Sequence, residues 1–564
     1  MRWKSVPIAN EESINALANK LTVPKVIAKL LAQRGITSFE QAKFFFRPEW
    51  LQLHDPFLMK DMQVAVARIV KAIDQQEKVM VYGDYDVDGT TSVALVTSYF
   101  KDKINYLIPY IPDRYKEGYG ISMSGIDAAK EEGITLIIAL DCGIKAHKQV
   151  IYAAEMGIDF IICDHHLPSE TLPPAVAILD PKRDDCGYPF KELCGCGIGF
   201  KLIQAVQIHL NLPLKILTTY LDLVATAIAA DIVPMEGENR TLTFLGLQQF
   251  QENPRIGLQF FLKTLKKPIK VTDLVFVIAP RINAAGRMDH GLSAVKLLMT
   301  DNLKLALPKA RSIDFFNTER RSTEERITVE ALQQIVLNEE TTCFSTVVFH
   351  PSWHKGVIGI VASRLIETYY RPTVVLTESE GVLSGSVRSV SGFDVYQALE
   401  ACSEFMIQFG GHKYAAGLTL KPEQLTGFKQ CFEAYAEAHL LPEQLQPTYS
   451  YDLEIHFDAL TPKLYRIINQ MAPFGPKNMR PVFVTHLCKD AGGTRAVGKE
   501  NNHLKLEIID AGGTRFQGIA FGMAQHLIQI KNQQPFSLLY TLEENEYNGK
   551  VSLQLKVKDL VFAP

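Results

Sequence analysis

Residues 78–89, KVMVYGDYDVDG, form a short apolar run that ends in three closely spaced aspartates. The same pattern returns in ITLIIALDCG (134–143) and in IDFIICDHH (158–166), where polar residues again follow an apolar run. We interpret each run as a buried strand. Helix-like stretches such as TTSVALVTSYF (90–100) lie between them, and this alternation predicts a parallel, doubly wound α/β sheet. Ligands bind beyond the carboxyl ends of such strands, so the polar clusters should meet at one edge of the sheet.

Length and composition indicate a globular chain of several domains. The chain has 564 residues, of which 47% are apolar and 21% charged, values typical of soluble proteins. A net charge of -3 excludes a uniformly basic protein, so any grip on a polyanion must come from local Lys/Arg clusters. The sequence lacks a signal-peptide pattern and an apolar run of about 18 residues, so we expect a cytoplasmic protein.

The nine cysteines do not form a disulfide framework, because they are odd in number and thinly spread. We expect them to be reduced. Cys186, Cys194 and Cys196 form the one cluster, which suggests either a zinc site or a Gly-rich turn built from small residues. The cluster lacks a paired CxxC spacing and a clear fourth ligand, and the turn is the favoured interpretation.

Downstream patterns predict additional domains. RRSTEERITVEALQQIVLNEE (320–340) has the periodicity of a long helix, and a second strand-helix set follows it. After residue 446 come five or six short alternating strands separated by Gly/Asn turns, which predict a small β-barrel. The predicted division is an N-terminal helical segment (1–70), a domain with the acidic sheet edge (71–290), a connector helix (291–341), a smaller α/β domain (342–445) and the barrel (446–564).

The acidic sheet edge has the composition of a metal site. Asp84, Asp86 and Asp88 crowd one turn, and crowded carboxylates are stabilised by a cation such as Mg²⁺ or Mn²⁺. A calcium-type or merely solvated acidic loop is the alternative for this motif alone. Asp141 and the Asp164-His165-His166 triplet add carboxylates and imidazoles at neighbouring strand ends. Two cations held this way can activate water and neutralise a scissile phosphate, so the residues predict phosphoester hydrolysis.

These motifs carry a family resemblance. GDYDVDG, DCG, DHH and the later Asp231 resemble the successive motifs of the DHH phosphoesterase superfamily. APRINAAGR (279–287), HKGVIGIVASRL (354–365), GSVRS (385–389) and FGGHKYAAGL (409–418) are similar to segments of its RecJ branch and of the DHHA1-type partner domain. The resemblance implies a parallel-sheet DHH domain, joined by a long helix to a smaller α/β DHHA1 domain and followed by an OB-like β-barrel.

The resemblance also implies residue roles. The implied metal ligands are Asp84, Asp86, Asp88, Asp141, His165 and Asp231. Asp164 and His166 receive catalytic roles, with His166 beside the scissile phosphate and Asp164 supporting the imidazoles. The implied nucleic-acid and phosphate-binding residues are Arg114, Arg281, Asn283, Ser386, Arg388, Gly410, Gly411 and His412. Some family members carry histidine at the position of Asp84, so its share in metal ligation stays open.

The implied function is a single-stranded-DNA-specific 5′-to-3′ exonuclease that releases 5′-mononucleotides with two Mn²⁺ or Mg²⁺ ions. The resemblance alone implies the polarity, a role in DNA repair and recombination, and a helicase and a single-strand-binding protein as partners of a monomer. The alternatives are an oligonucleotide or cyclic-dinucleotide phosphodiesterase, a manganese pyrophosphatase, and an inactive single-strand-binding scaffold. The length of the chain argues against the first two, and the intact ligand set argues against the scaffold.

Overall fold

The structure is a computed structural model that describes residues 2–8, 10–265, 268–547 and 549–563. The amino-terminal segment forms β1 (Arg2–Ser5), α1 (Glu11–Leu21), α2 (Lys25–Ala32), α3 (Phe39–Phe46) and α4 (Met62–Asp74). Local sequence sets these boundaries: Ser38 and Gln41 form a reciprocal capping box that starts α3. No helix in the described part of the chain is both long enough and apolar enough to cross a membrane.

The first α/β domain is built on a five-stranded parallel sheet in the order β3-β2-β4-β5-β6. Its elements are β2 (Lys78–Gly83), α5 (Val87–Phe100), β3 (Tyr106–Tyr110), α6 (Met123–Glu131), β4 (Leu136–Leu140), α7 (His147–Glu155), β5 (Asp159–Cys163) and β6 (Ala177–Leu179). The three strands expected from the sequence form the centre of this sheet. Every residue of β4 is buried, as expected for a strand covered by helices on both faces.

A group of helices completes this domain. They are α8 (Gly195–His209), α9 (Leu221–Ala230), α10 (Gly237–Glu252), α11 (Gln259–Leu262), α12 (Val271–Asp273), α13 (Ala279–Met288) and α14 (Leu292–Met299), with a π-helical turn over Leu274–Ile278. The first part of the predicted connector (291–341) contains α14, which packs into the core of the first domain through Val295 and Leu298. The connector itself is α15 (Leu303–Leu337). Its amino-terminal half contributes Ile313 to the first core, and its carboxyl half contributes Ile335 to a separate core with α16 (Ile358–Thr368).

The second α/β domain contains a five-stranded sheet in the order β10-β11-β9-β8-β7. Its remaining elements are β7 (Thr346–Phe349), β8 (Thr373–Ser379), β9 (Val382–Arg388), α17 (Val395–Ala401), β10 (Gln408–His412), β11 (Ala415–Leu420) and α18 (Leu425–His439). Within this sheet β7 and β8 pair in parallel, whereas the other neighbours are antiparallel, with β11 lying between β9 and β10. This smaller mixed sheet agrees with the expected fold.

The barrel domain is a seven-stranded sheet in the order β13-β14-β18-β19-β17-β16-β15, closed on itself by pairing of β14 with β16. The elements are β12 (Thr448–Tyr451), β13 (Leu453–Glu454), α19 (Pro462–Gln470), β14 (Phe483–Asp490), β15 (Arg495–Val497), β16 (His503–Ile509), β17 (Arg515–Ala520), α20 (Leu527–Lys531), β18 (Phe536–Tyr547) and β19 (Lys550–Phe562). This pairing leaves only the short strands β13 and β15 at the edges of the described sheet, and the expected barrel is confirmed.

The elements from β1 to α3 pack against the barrel domain, at the opposite end of the sequence, whereas α4 packs into the core of the first α/β domain. β1 pairs in parallel with β12, and the indole Nε1 of Trp3 donates a hydrogen bond to Asp559 at 2.8 Å. Ile14 and Leu31 share one buried core with Phe457 of the barrel. The segment predicted as helical therefore also supplies a strand, while its limits and those of the other domains stay predictions.

Candidate metal centre and anion pocket

Three aspartates stand side by side where the central strands end. Gly83 of β2 pairs with Leu140 of β4, and Leu140 pairs with Cys163 of β5. The residues that directly follow these three strands are Asp84, Asp141 and Asp164. All three are at most 2% exposed. Strand register therefore places three carboxylates at one edge of the sheet, as the sequence predicts.

Helix starts hold the next two carboxylates. Asp86 caps α5 by accepting a hydrogen bond from the Gly89 N–H at 3.0 Å. One oxygen of Asp88 accepts from the N–H of Gly195 at 2.6 Å, and the other accepts from the N–H of Cys196 at 2.7 Å. These donors lie at the start of α8, where free N–H groups favour an anion. Asp88 is thus fixed by its own helix, α5, and by the hydrogen bonds from the start of α8.

The Gly-rich turn beside the cysteines brings the start of α8 into contact with Asp88 and Asp141. A Cβ on Gly195 would lie 2.6 Å from the Cβ of Asp141, so only glycine allows α8 to start this close to the sheet edge. Within the described residues, the groups able to hold a metal contain no cysteine. The zinc interpretation of Cys186, Cys194 and Cys196 gains no support, and the small-residue turn accounts for the motif.

His165 is at the centre of the cluster. Its Nε2 lies 3.2 Å from Asp141 Oδ1, 3.7 Å from Asp231 Oδ2 and 4.0 Å from Asp88 Oδ2. Asp231 arrives from the carboxyl end of α9 rather than from a strand. Two overlapping groups result, Asp141 with His165 and His166, and Asp88 with His165 and Asp231, each with ligand atoms within 4.8 Å of one another.

The cluster has the unbalanced charge that a divalent cation would neutralise. Burial and then neighbouring carboxylates raise the pKa of Asp84, Asp88, Asp141 and Asp231. Among the described residues, both carboxylate oxygens of Asp84, Oδ1 of Asp141 and Nδ1 of His165 have no hydrogen-bond partner. Burial lowers the pKa of His165 to about 3, which keeps its imidazole neutral and available as a ligand. Oxygen and imidazole donors of this kind fit Mn²⁺ or Mg²⁺.

Asp164 holds His166 rather than joining the ligand groups. Its Oδ1 accepts a hydrogen bond from Nδ1 of His166 at 2.7 Å, and its Oδ2 accepts from the N–H of Ile144 at 2.9 Å. Burial opposes ionisation of Asp164, but the His166 hydrogen bond and charge lower its pKa to about 2. Nε2 of His166 lies 3.2 Å from the hydroxyl of Tyr119, a contact that the sequence did not suggest. Asp164 and Tyr119 together fix the ring of His166.

A second group of charges lies between the two α/β domains. Arg287 is half-buried, and burial followed by repulsion from Arg114, Arg320 and Arg388 lowers its pKa to about 9. Arg287 donates a hydrogen bond to the carbonyl of Gly356 at 2.7 Å. Clustered guanidinium groups of this kind are suited to bind an anion such as a phosphate. We call Arg114, Arg287, Ser386 and Arg388 the anion pocket.

The anion pocket adjoins the metal centre and the first turn of α16. Nη1 of Arg388 donates to Oγ of Ser386 at 3.1 Å, and a Cβ on Gly359 in that turn would lie 2.9 Å from Oγ of Ser386. On the other side, the guanidinium of Arg114 lies 4.6 Å from the ring centre of Tyr85, which follows Asp84 directly. Tyr85 therefore links the two groups.

Strand register brings most of the predicted residues of the second domain to one face. Across β9, β11 and β10, Arg388 pairs with Ala415 and Ala415 with His412; in the adjacent row, Ser386 pairs with Gly417 and Gly417 with Gly410. Direct cross-strand neighbours share a face, so four predicted residues line one surface. Gly411 faces the other way.

One predicted residue, Arg281, lies apart from the anion pocket. Nε of Arg281 donates to Asp314 at 2.8 Å and its Nη1 donates to the carbonyl of Val277 at 2.8 Å, so its guanidinium does not join the anion pocket. Asn283 is on the same helix, α13, four residues before Arg287 and therefore on the same face as that arginine. Sequence reasoning missed Arg287, the last residue of the motif that contains Arg281. Six residues correspond to about 240° around a helix, so helical spacing already separates the two arginines.

Comparisons with known proteins match the whole described architecture. The DHH family N-terminal domain matches residues 78–228, the DHHA1 domain residues 340–438 and the RecJ OB domain residues 451–559. The single-stranded-DNA-specific exonuclease RecJ of Bacillus subtilis is 35% identical over 99% of this chain and 70% of its own length.

Two crystal structures of RecJ from Thermus thermophilus have a similar fold. The complex with Mn²⁺ aligns with a TM-score of 0.86 at 26% identity and covers 99% of this chain and 79% of that one. The complex with Mg²⁺ aligns with a TM-score of 0.78 at 25% identity and covers 99% and 78%.

Proposed function

Since the chain belongs to the RecJ family of single-stranded-DNA-specific exonucleases, we propose that it removes mononucleotides from the 5′ end of single-stranded DNA by metal-dependent hydrolysis. The observation that carries this proposal is the adjacency of the metal centre and the anion pocket, joined through Tyr85 and Arg114. A pocket for a terminal phosphate beside a hydrolytic centre suits an enzyme that cleaves next to a chain end.

The proposed metal ligands are Asp84, Asp86, Asp88, Asp141, His165 and Asp231, for two Mn²⁺ or Mg²⁺ ions. Bound cations of this kind lower the pKa of water and neutralise charge on a phosphate. Asp84 is included because both of its buried oxygens lack a hydrogen-bond partner among the described residues.

The protein's own groups then orient the strand. His166, a third exposed at its side chain, is held by Asp164 and Tyr119, and its Nε2 would exchange the Tyr119 hydroxyl for an oxygen of the scissile phosphate. Arg114, Arg287 and Arg388 would hold the 5′ phosphate, and the exposed Gly410 and His412 would follow the backbone of the next nucleotide. Binding through backbone phosphates selects a chain end without reading base sequence.

We extend the proposal to the cellular role. A strand-specific exonuclease needs unpaired DNA, so a helicase and a single-strand-binding protein are the proposed partners, in cytoplasmic repair and recombination by a monomeric enzyme.

The test compares 5′-phosphorylated and 5′-hydroxyl single strands, duplex DNA and dinucleotides with Mn²⁺, for the wild type, Asp141→Ala, Arg388→Met and Arg281→Ala. We expect mononucleotide release from the 5′ end of single strands, lost in Asp141→Ala. Arg388→Met should raise KM for the phosphorylated strand roughly tenfold or more, because it removes charged hydrogen bonds. Arg281→Ala should leave KM unchanged, since that arginine pairs with Asp314.

Three results would contradict the proposal. Cleavage of dinucleotides alone would indicate a small-substrate phosphodiesterase, and binding without cleavage would indicate a scaffold. An equal KM for the two strand ends in the wild type would reject the anion pocket as a 5′-phosphate site.

A further inference from the structure

The loop that carries Asp231 is strained. Ile232, directly after it, has φ +59°, and Gly237 at the start of α10 has φ +49°. A β-branched residue such as isoleucine rarely adopts this left-handed conformation, which costs about 1–3 kcal/mol and persists only where neighbours hold it. Ile232 is itself 69% exposed and has little packing of its own. Whatever holds the loop must therefore act on the residues that follow.

Those residues are held by the barrel domain. The segment Met471–Asn478, which we call the docking loop, runs between α19 and β14 and reaches the first domain. The N–H of Met235 donates a hydrogen bond to the carbonyl of Pro476 at 2.7 Å, and Met235 is 1% exposed. A Cβ on Gly475 would lie 3.0 Å from Cε and 3.1 Å from Cβ of Met235, so the two segments are in direct contact.

Arg240 clamps the same contact from the first turn of α10. Its guanidinium donates to the carbonyls of Met471 at 2.9 Å, Ala472 at 2.9 Å and Pro473 at 3.1 Å. It also donates to the carbonyl of Phe45 at 2.9 Å. Arg240 is 4% exposed, so its buried guanidinium depends on the main-chain carbonyls of the docking loop for its hydrogen bonds.

Side-chain amides brace both partners. Nδ2 of Asn478 donates to the carbonyls of Met471 and Pro473 at 2.9 and 2.8 Å, which closes the docking loop on itself. In the first domain, Nδ2 of Asn239 donates to the carbonyl of Pro234 at 3.1 Å. The loop after Asp231 is thus tied at Pro234 and Met235, a few residues from the strained Ile232.

We infer that the barrel domain positions Asp231, and thereby sets the metal affinity of the centre, through the docking loop. Arg240 and Gly475 are positioning residues in this arrangement. Without the docking contact Ile232 relaxes to a negative φ, and Asp231 moves away from His165, whose Nε2 now lies 3.7 Å from its Oδ2. The inference rests on the proposed function only in taking Asp231 as a metal ligand.

The experiment measures Mn²⁺ binding to the full chain by titration calorimetry, without DNA. The variants are Arg240→Met, Gly475→Ala and Asp231→Ala. Gln33→Ala is the matched control: its Nε2 donates to the carbonyl of Asp452 at 2.8 Å, a contact of the barrel with the amino-terminal segment outside the docking loop. Arg240→Met should weaken Mn²⁺ binding roughly tenfold, the low end for groups that support a metal ligand. Gly475→Ala should weaken it in the same direction by less, and Gln33→Ala should bind as the wild type does.

Wild-type Mn²⁺ affinity in folded Arg240→Met and Gly475→Ala would overturn the inference. If Arg240→Met does not fold, Gly475→Ala alone decides, because it adds one methyl group next to a methionine. Wild-type binding by Asp231→Ala would instead reject the ligand assignment in the proposed function. Loss of affinity in Asp231→Ala, with no change in the two docking variants, would reject only the positioning by the barrel.

Discussion

Asp164→Asn tests how the site controls His166. Oδ1 of Asp164 accepts hydrogen bonds from the N–H groups of His165 and His166 at 2.8 and 3.2 Å and from Nδ1 of His166 at 2.7 Å. Oδ2 accepts one from the N–H of Ile144 at 2.9 Å. Asparagine has the same shape but only one acceptor oxygen. If that oxygen replaces Oδ1, the amide group faces the N–H of Ile144 and two donors meet in the interior.

The expected loss has two parts. An unpaired buried donor costs about 1–3 kcal/mol in the free energy of unfolding. The larger effect is on kcat, because a neutral amide no longer stabilises a protonated His166. Loss of such a supporting carboxylate lowers activity about 10–100-fold in comparable sites. KM should change little, since Asp164 does not contact the anion pocket.

Asp180→Asn is the matched control. Asp180 follows β6 and is fully buried, but its Oδ1 accepts a hydrogen bond from Lys182 N–H at 2.7 Å and its Oδ2 has no partner in the described part of the chain. In Asp180→Asn the amide nitrogen takes the place of Oδ2, so no hydrogen bond among the described residues is lost. Steady-state rates on a 5′-phosphorylated strand and thermal unfolding of both variants provide the comparison. Equal kcat for Asp164→Asn and Asp180→Asn would refute the reasoning.

Three other predictions concern stability and backbone. Nζ of Lys201 lies 2.6 Å from Oε1 of Glu238 in the core, so Lys201→Met should lower the free energy of unfolding in urea by about 3–5 kcal/mol. Adding Glu238→Gln should recover part of that loss, because the carboxylate left without its partner is removed. An unchanged stability of Lys201→Met would contradict this. A Cβ on Gly411 would lie 2.5 Å from the Ala415 carbonyl oxygen, whereas one on Gly410 meets nothing within 4 Å. Gly411→Ala should therefore lower the melting temperature, and Gly410→Ala should weaken DNA binding at an unchanged melting temperature; identical behaviour of the two would contradict this. Sγ of Cys402 and Cys431 lie 2.8 Å apart and 29 residues apart in sequence, so diamide should link them and add about 3–4 kcal/mol of stability by the chain-entropy estimate. Non-reducing peptide mapping that finds both thiols free, with Cys431→Ser as control, would reject the link.

Much of the fold was predictable because the strongest patterns come from buried elements. The central strands β2, β4 and β5 are continuous apolar runs, and their polar ends were placed correctly. β3 and β6 were missed because one is only partly buried and the other has three residues. Short or half-exposed strands carry too little pattern to detect. The sequence did not separate α14 from the connector helix, because only packing reveals that Val295 and Leu298 of α14 belong to the first core.

For the candidate site, the residue types were predictable but their partners were not. The aspartates and His165 meet as expected, whereas the arginine of this motif that neighbours Arg114 and Arg388 is Arg287, and Arg281 pairs with Asp314. Both arginines occur in one motif, and only the orientation of α13 decides which one faces Arg114 and Arg388. Tyr119 carries no pattern of its own, and its contact with His166 arises where two loops meet.

The sequence by itself determined the sheet edge, because a strand that ends in a carboxylate delivers it to the same edge as its parallel neighbours. It also indicated the order of the domains. Only the tertiary structure decided which residue or segment holds each side chain of the site in place. Asp164 holds His166, the start of α8 holds Asp88, and the docking loop of the barrel reaches the segment after Asp231 from a distant part of the chain. Contacts between distant segments depend on how whole elements pack, and no local pattern in the chain records that packing.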